Sequence, residues 1–155
     1  MALVEFTMTG SVAVIAMDDG KANAMGPDMI AAVNDALDRA ESEASAVVII
    51  GREGAFCGGF DLKVIRSGDA VAQVAMTTAG AHLALRLYGF PKPVVMAATG
   101  HSVALGGFLL LAADHRIGDG HDIGDTVFED VPIRRDFGSF LLEGVQFVAG
   151  LLGSA

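Results

Sequence analysis

The sequence predicts an α/β fold in which parallel strands are joined by helical crossovers. Three observations carry this. Two apolar runs, 47–50 and 94–98, read as buried strands, and each feeds a glycine-rich turn. Each turn leads on to a helix start, so strand, turn and helix recur twice in the same order. Long segments with helical periodicity fill the intervals before and between the two runs.

In chain order, 3–9 and Val12–Met17 read as two strands with Thr9-Gly10-Ser11 as their hairpin turn. Asp18-Asp19-Gly20 is a turn signal. Pro27 suits a helix start, where its missing N–H loses no intrahelical bond. Met29, Ile30, Val33, Leu37 and Ala40 recur at helical spacing, so Pro27–Glu43 is an amphipathic helix. Asp35, Asp38, Arg39 and Glu41 form its wet face. Ala46–Ile50 returns as a strand. A short helix over 60–66 follows the first glycine turn and stops at Ser67-Gly68-Asp69. Ala70–Tyr88 is a long helix, with Val74, Ala81, Leu85 and Tyr88 facing inward. Phe90-Pro91-Lys92-Pro93 ends it, because proline cannot continue the hydrogen-bond ladder; Lys92 is a phosphate contact or a plain loop charge. The strand 94–98, a second glycine turn, the buried helical run 108–113 and a short strand over 114–118 complete the pattern.

A chain of 155 residues, 52% of them hydrophobic, holds one domain with one sizeable core. Twenty glycines point to tight packing of small groups. A net charge of −9 and a pI near 4.6 argue against a nucleic-acid partner, which needs a basic footprint. The single cysteine, Cys57, excludes an intramolecular disulfide and favours a reducing compartment. The first residues lack the basic segment and apolar core of a signal peptide. No run reaches the ~18 apolar residues of a membrane span. The nearest, 137–152, is interrupted by Glu143 and Gln146. A cytoplasmic location is therefore expected.

The two turns carry the chemistry. In 100–116, GHSVALGGFLLLAADHR, a strand runs through glycines into an apolar helix. The first N–H groups of a helix have no internal partner, and the helix dipole makes that end electropositive. An anion or a developing oxyanion is the natural guest. The competing reading is a helix packed close under its strand, with glycines for close approach. The segment 51–62, GREGAFCGGFDL, repeats the arrangement. Two such turns on neighbouring parallel strands aim one N–H each at a shared point, which is a two-donor oxyanion hole.

The same residues carry a resemblance. AFCGGFDL, then PKPVVMAATGHSVALGG, LLAAD and an arginine resemble the A-F-[SC]-x-G-x-D-L, P-K-P-V-[IV]-A-x-x-x-G-x-x-x-G-G and D-x-R sequences of the crotonase superfamily, the enoyl-CoA hydratase/isomerase proteins. The likeness runs from about Val12 to Gly118. It implies a crotonase-like ββα-superhelix core over residues 1–118, followed by a divergent segment, 119–155. It also implies an acyl-CoA thioester as ligand, with coenzyme A part of the substrate and no resident cofactor or metal. The oxyanion donors it implies are the main-chain N–H groups of Phe60 and of Leu105, just before Gly106. Fixed dipoles there would stabilise a thioester enolate, and losing one such donor costs ~10²–10³ in rate. The resemblance puts Ala55, Phe56, Gly58, Asp61, Leu62 and Lys63 along the acyl-CoA pocket, with Lys63 near a phosphate. Lys21 and Ala22, in the K-x-N-A-[LM] segment, would lie near the CoA moiety. For Asp61 a helix N-terminal charge is the other reading, and for Lys21 a solvated loop.

Hydratases of this superfamily use two glutamates. The first falls three residues past the second donor, where this chain has Phe108. The second falls at Phe128 or Glu129, which makes Glu129 the candidate base and a surface acid beside Asp130 its alternative. One base with an oxyanion hole resembles the Δ3,Δ2-enoyl-CoA isomerases, a proton shuttle. Beyond Gly118 the chain departs from the family, whose C-terminal helices cover the site and build a trimer. A homo-oligomer is implied by resemblance, and 137–152 is a substitute helix or an apolar patch.

Other readings compete. A truncated paralogue would keep the fold and serve as an acyl-CoA-binding or assembly subunit. Gly100-His101-Ser102-Val103-Ala104 imitates a G-x-S-x-G nucleophile elbow, with Asp114 and His115 or His121 to complete a triad around Ser102. Cys57 is a possible nucleophile. Asp119, His121, Asp122 and Asp125 form a loose metal loop or, more simply, a solvated acidic one.

Overall fold

The N-terminal hairpin pairs β1 (Val4–Thr9) with β2 (Val12–Met17) antiparallel, Val4 facing Met17 and Thr9 facing Val12. This is how the computed structural model, which describes residues 2–118, begins. Helix α1 (Pro27–Glu43) then crosses to β3 (Ala46–Ile50), which lies parallel to β2 with Ile15 beside Ile49. Next come β4 (Gly54–Cys57), α2 (Leu62–Ile65) and α3 (Ala70–Tyr88). The chain continues through β5 (Val94–Ala98), β6 (Gly100–Ser102), α4 (Leu105–Ala112) and β7 (His115–Gly118). The main sheet has the order β1-β2-β3-β5-β7, parallel except for β1. The predicted α/β class with helical crossovers is the one observed.

Two short strands fall where the sequence reading had only turns. β4 and β6 pair with each other, parallel, as a separate two-stranded sheet. Neither has the alternation or the β-branched run that marks a strand. The short helix after the first turn is also briefer than 60–66, because Asp61 caps it and only Leu62–Ile65 is helical.

Alternate residues of the central strands supply the core: Ala13, Ile15 and Met17, then Val47 and Ile49, then Val94, Met96 and Ala98. The five apolar residues assigned to α1 are all buried. The assignment for α3 holds for Ala81, which is buried, and for Tyr88, which packs partly buried against the core, and needs correction at Val74 and Leu85. Its buried face is Met76, Gly80, Ala81, Leu83, Ala84 and Leu87, whereas Val74 and Leu85 are 44% and 39% exposed. The helix is apolar on most sides, so spacing alone does not single out the face that packs.

Lys92 is occupied by the fold. Its ammonium donates to the Ala40, Glu41 and Ala44 carbonyls at the end of α1, which satisfies carbonyls a helix C-terminus leaves open. Arg86 on α3 donates to both oxygens of Asn34 and to Asp38 at 2.5 Å, fixing α3 against α1. The D-x-R residues dock β7. The Asp114 carboxylate accepts from Val94 N–H at 2.9 Å, and Arg116 donates to the Leu110 and Ala113 carbonyls as α4 ends. No helix among the described residues is long and apolar enough to cross a membrane.

Candidate active site

The two glycine turns meet because β4 and β6 run side by side. Gly54 lies beside Gly100 and Ala55 beside His101, and a bulge brings Cys57 next to Ser102. The approach is so close that Gly100 has no room for a side chain: a Cβ would sit 2.2 Å from the Gly54 carbonyl carbon. Val103 N–H then donates to Cys57 O at 2.9 Å, tying the second turn to the first. Gly59 adjoins Val103 and Ala104, so the residues preceding Phe60 and Leu105 abut. The side chains of Phe60 and Leu105 converge over Gly80 of α3, where a Cβ would lie 2.6 Å from Phe60 Cε1 and 2.8 Å from Leu105 Cδ2.

Phe60 and Leu105 thus come together from turns far apart in sequence. Their N–H groups share a second property: neither has a hydrogen-bond acceptor among the described residues. At the start of α4, Gly106 N–H turns back to Val103 O and Gly107 N–H to Ala104 O, at 2.9 and 3.0 Å. Leu105 N–H is left over at the electropositive end of an apolar helix. Either side of Phe60 the main chain is engaged, with Gly59 O accepting from Met25 N–H at 2.8 Å.

A third segment straps the first turn, and its key residue is one the sequence reading passed over. Asn23 is fully buried, with φ 53°. Its amide donates to Met17 O at 3.0 Å and to Ala55 O and Phe56 O at 3.3 Å, while its Oδ1 accepts from Asp19 N–H. Attention had gone to Lys21, yet the signal was the asparagine, a residue type that tolerates the left-handed region. Gly58 N–H donates to Ala22 O at 2.7 Å, completing the strap. Arg52 donates to Lys21 O at 2.6 Å and pairs with Asp18.

The Asp19 carboxylate accepts from the N–H groups of Lys21, Asn23 and Ala24. Partial burial works to raise its pKa, but these three donors and the nearby Arg52 charge outweigh it and hold the carboxyl below its ordinary value. A depressed carboxyl stabilises the fold above its unfolded pKa, about 3.9, and that contribution is lost as pH falls through the lower folded value. Thermal unfolding should therefore show wild type more stable than Asp19→Asn at neutral pH, with the gap closing below about pH 4. A gap independent of pH would contradict this.

The other expected ligand-lining residues divide. Ala55 is half-buried and Gly58, Leu62 and Lys63 are exposed beside the turn. Phe56 is 0% exposed and belongs to the core. Asp61 is a helix cap, its carboxylate accepting from Lys63 N–H at 2.8 Å. Leu105 is 2% exposed, its side chain packed beside that of Phe60 over Gly80.

Burial pushes the Cys57 thiol up to about 11, with Asp19 adding to the rise against a hydrogen bond from Gly59 N–H. It is a protonated core thiol at neutral pH and no nucleophile. The Ser102 hydroxyl is buried without a hydrogen-bond partner among the described residues, wedged where a Cβ on Gly106 would lie 2.8 Å away. His101 and His115 are exposed and neither hydrogen-bonds to it. The described residues do not assemble a serine triad. Phe108 is half-buried in α4 and packs against the core. Glu129, His121, the acidic loop and 137–152 lie outside the described residues.

Comparison with known proteins follows the same lines. The sequence model of the family "Enoyl-CoA hydratase/isomerase" matches residues 7–123. A Thermus thermophilus protein described as an enoyl-CoA hydratase is 35% identical over 114 residues, covering 68% of this chain and 44% of its own. The crystal structure of a probable enoyl-CoA hydratase from Mycobacterium tuberculosis is 50% identical with a TM-score of 0.72, covering 74% of this chain and 49% of that one. An apo structure titled enoyl-CoA isomerase from the same organism is 48% identical with a TM-score of 0.70, covering 74% and 50%. This chain spans about half the length of the relatives it matches. With a matched sequence model over most of its length and a crotonase-like α/β core, the chain belongs to the enoyl-CoA hydratase/isomerase family.

Proposed function

We propose that the protein binds an acyl-CoA thioester with its carbonyl oxygen between the N–H groups of Phe60 and Leu105. The observation that carries this is the convergence of those two residues, with both N–H groups unengaged among the described residues. An enolate formed there meets two fixed donors, which acidifies the α-proton. With Phe108 where a second carboxylate would stand, the reaction suited to the chain is isomerisation rather than hydration. A single base, Glu129, takes a proton from C2 of a 3-enoyl-CoA and returns it to C4, and the double bond moves to C2–C3. A cytoplasmic, homo-oligomeric enzyme without nucleic-acid partners is part of this proposal.

Calorimetry with a thioester and with the thioether of equal chain length tests the site. Two carbonyl hydrogen bonds should favour the thioester at least about tenfold, and equal affinity would overturn the reading. Glu129→Gln should abolish 3-enoyl-CoA turnover while keeping the thioester preference. A second reading, binding without turnover, draws on the same Phe108. It predicts that preference in a wild-type protein with no isomerase activity.

A further inference from the structure

Ala104 stands in a backbone conformation that an L residue rarely adopts. Its φ is 49° and its ψ −113°, and Gly106 N–H closes back on Val103 O at 2.9 Å. Val103-Ala104-Leu105-Gly106 is therefore a turn of the II′ kind, with alanine at the position that favours glycine. The sequence is rich in glycine on either side, yet here a methyl group is kept at the expense of strain. That methyl has a definite neighbour. Gly59, itself at φ 85°, adjoins it so closely that a Cβ on Gly59 would lie 3.2 Å from Ala104 Cβ and 3.0 Å from Val103 O. Gly59 immediately precedes Phe60, and Ala104 immediately precedes Leu105. The methyl, on an exposed residue, thus faces one turn from the other at the residue before each donor. Opposite, the side chains of Phe60 and Leu105 rest together over Gly80.

We propose that Ala104 is a positioning residue whose strained methyl acts as a spacer between the two turns and sets the separation of the Phe60 and Leu105 N–H groups. Its role in catalysis rests on the thioester reading above, but the spacing itself does not. Glycine would satisfy the turn without strain and remove the methyl that faces Gly59. Ala104→Gly should raise the melting temperature by about 2–4 °C. It should also lower kcat about tenfold with little change in KM and reduce the thioester-over-thioether preference.

The deciding measurement is independent of turnover. Amide NMR of the full chain should show the Phe60 N–H resonance moved in Ala104→Gly, across the contact between turns, with residues 109–112 of α4 unmoved. Ala104→Ser, which keeps a Cβ, should leave Phe60 near its wild-type position and restore kcat. A Phe60 amide indifferent to Ala104→Gly would overturn the spacer. So would an unchanged kcat in Ala104→Gly when the wild type turns over substrate and shows the thioester preference. If the wild type lacks that preference, the oxyanion reading fails while the Phe60 amide still decides the spacing.

Discussion

Gly100→Ala should prevent stable folding. The residue sits at φ 147°, and a Cβ there would lie 2.2 Å from Gly54 C, 2.4 Å from Gly54 O and 2.6 Å from Ala55 N. All three are main-chain atoms, so no rotamer change relieves the clash. β4 and β6 would have to separate, taking both turns with them. The loss expected from strain and overpacking together is more than about 4 kcal/mol. A domain of this kind has only ~5–15 kcal/mol in total. Circular dichroism melts should show no cooperative transition, or one lowered by at least about 10 °C. Gly107→Ala is the control, since a Cβ there meets nothing within 4 Å among the described residues and alanine favours a helix by about 1 kcal/mol. A Gly100→Ala protein that melts like wild type would show that the two short strands do not pair as described.

Gly80→Ala should separate activity from stability. Gly80 lies inside α3, where alanine gains about 1 kcal/mol of helix propensity. Against that, the new Cβ would meet Phe60 Cε1 at 2.6 Å, Leu105 Cδ2 at 2.8 Å and Phe60 Cζ at 3.0 Å. Overpacking of this size costs ~1–3 kcal/mol, so the net change in stability is small. The displacement falls on the two residues proposed to hold the oxyanion. A shift approaching 1 Å is expected to reduce kcat on a CoA thioester about 100-fold. A variant with a modest change in melting temperature and this rate loss would support the site. One with full turnover would remove Phe60 and Leu105 from it.

Much of this architecture was legible in the residues. The central strands β2, β3 and β5 announce themselves because buried parallel strands are continuous apolar runs, as in Val94–Ala98. Helix α1 is legible because its apolar residues fall on one face. β4 and β6 were not, because Gly-Ala-Phe-Cys and Gly-His-Ser pair through the closeness of bare backbones rather than through side-chain alternation. The buried face of α3 was misjudged at Val74 and Leu85 because apolar residues surround that helix and its packing is decided by what lies across from it. Lys92 and Asp61 illustrate a further limit. Each bears a charge that chemistry could use, and each is engaged by a helix end instead. That the two turns meet was legible in their repeated strand-turn-helix order, but Phe60 and Leu105 as the residues that converge were readable only through resemblance, since neither side chain suggests a polar task.

The atoms proposed to bind the substrate belong to the peptide chain, and this decides which experiments can detect them. Phe60 and Leu105 retain their N–H groups whatever ordinary residue replaces them, so a survey that truncates side chains one by one would pass over the site. Amide-to-ester exchange at either position, introduced by chemical ligation, replaces the N–H donor by an oxygen and keeps the fold's outline. The identity of the two residues is free to drift toward whatever the surrounding core requires.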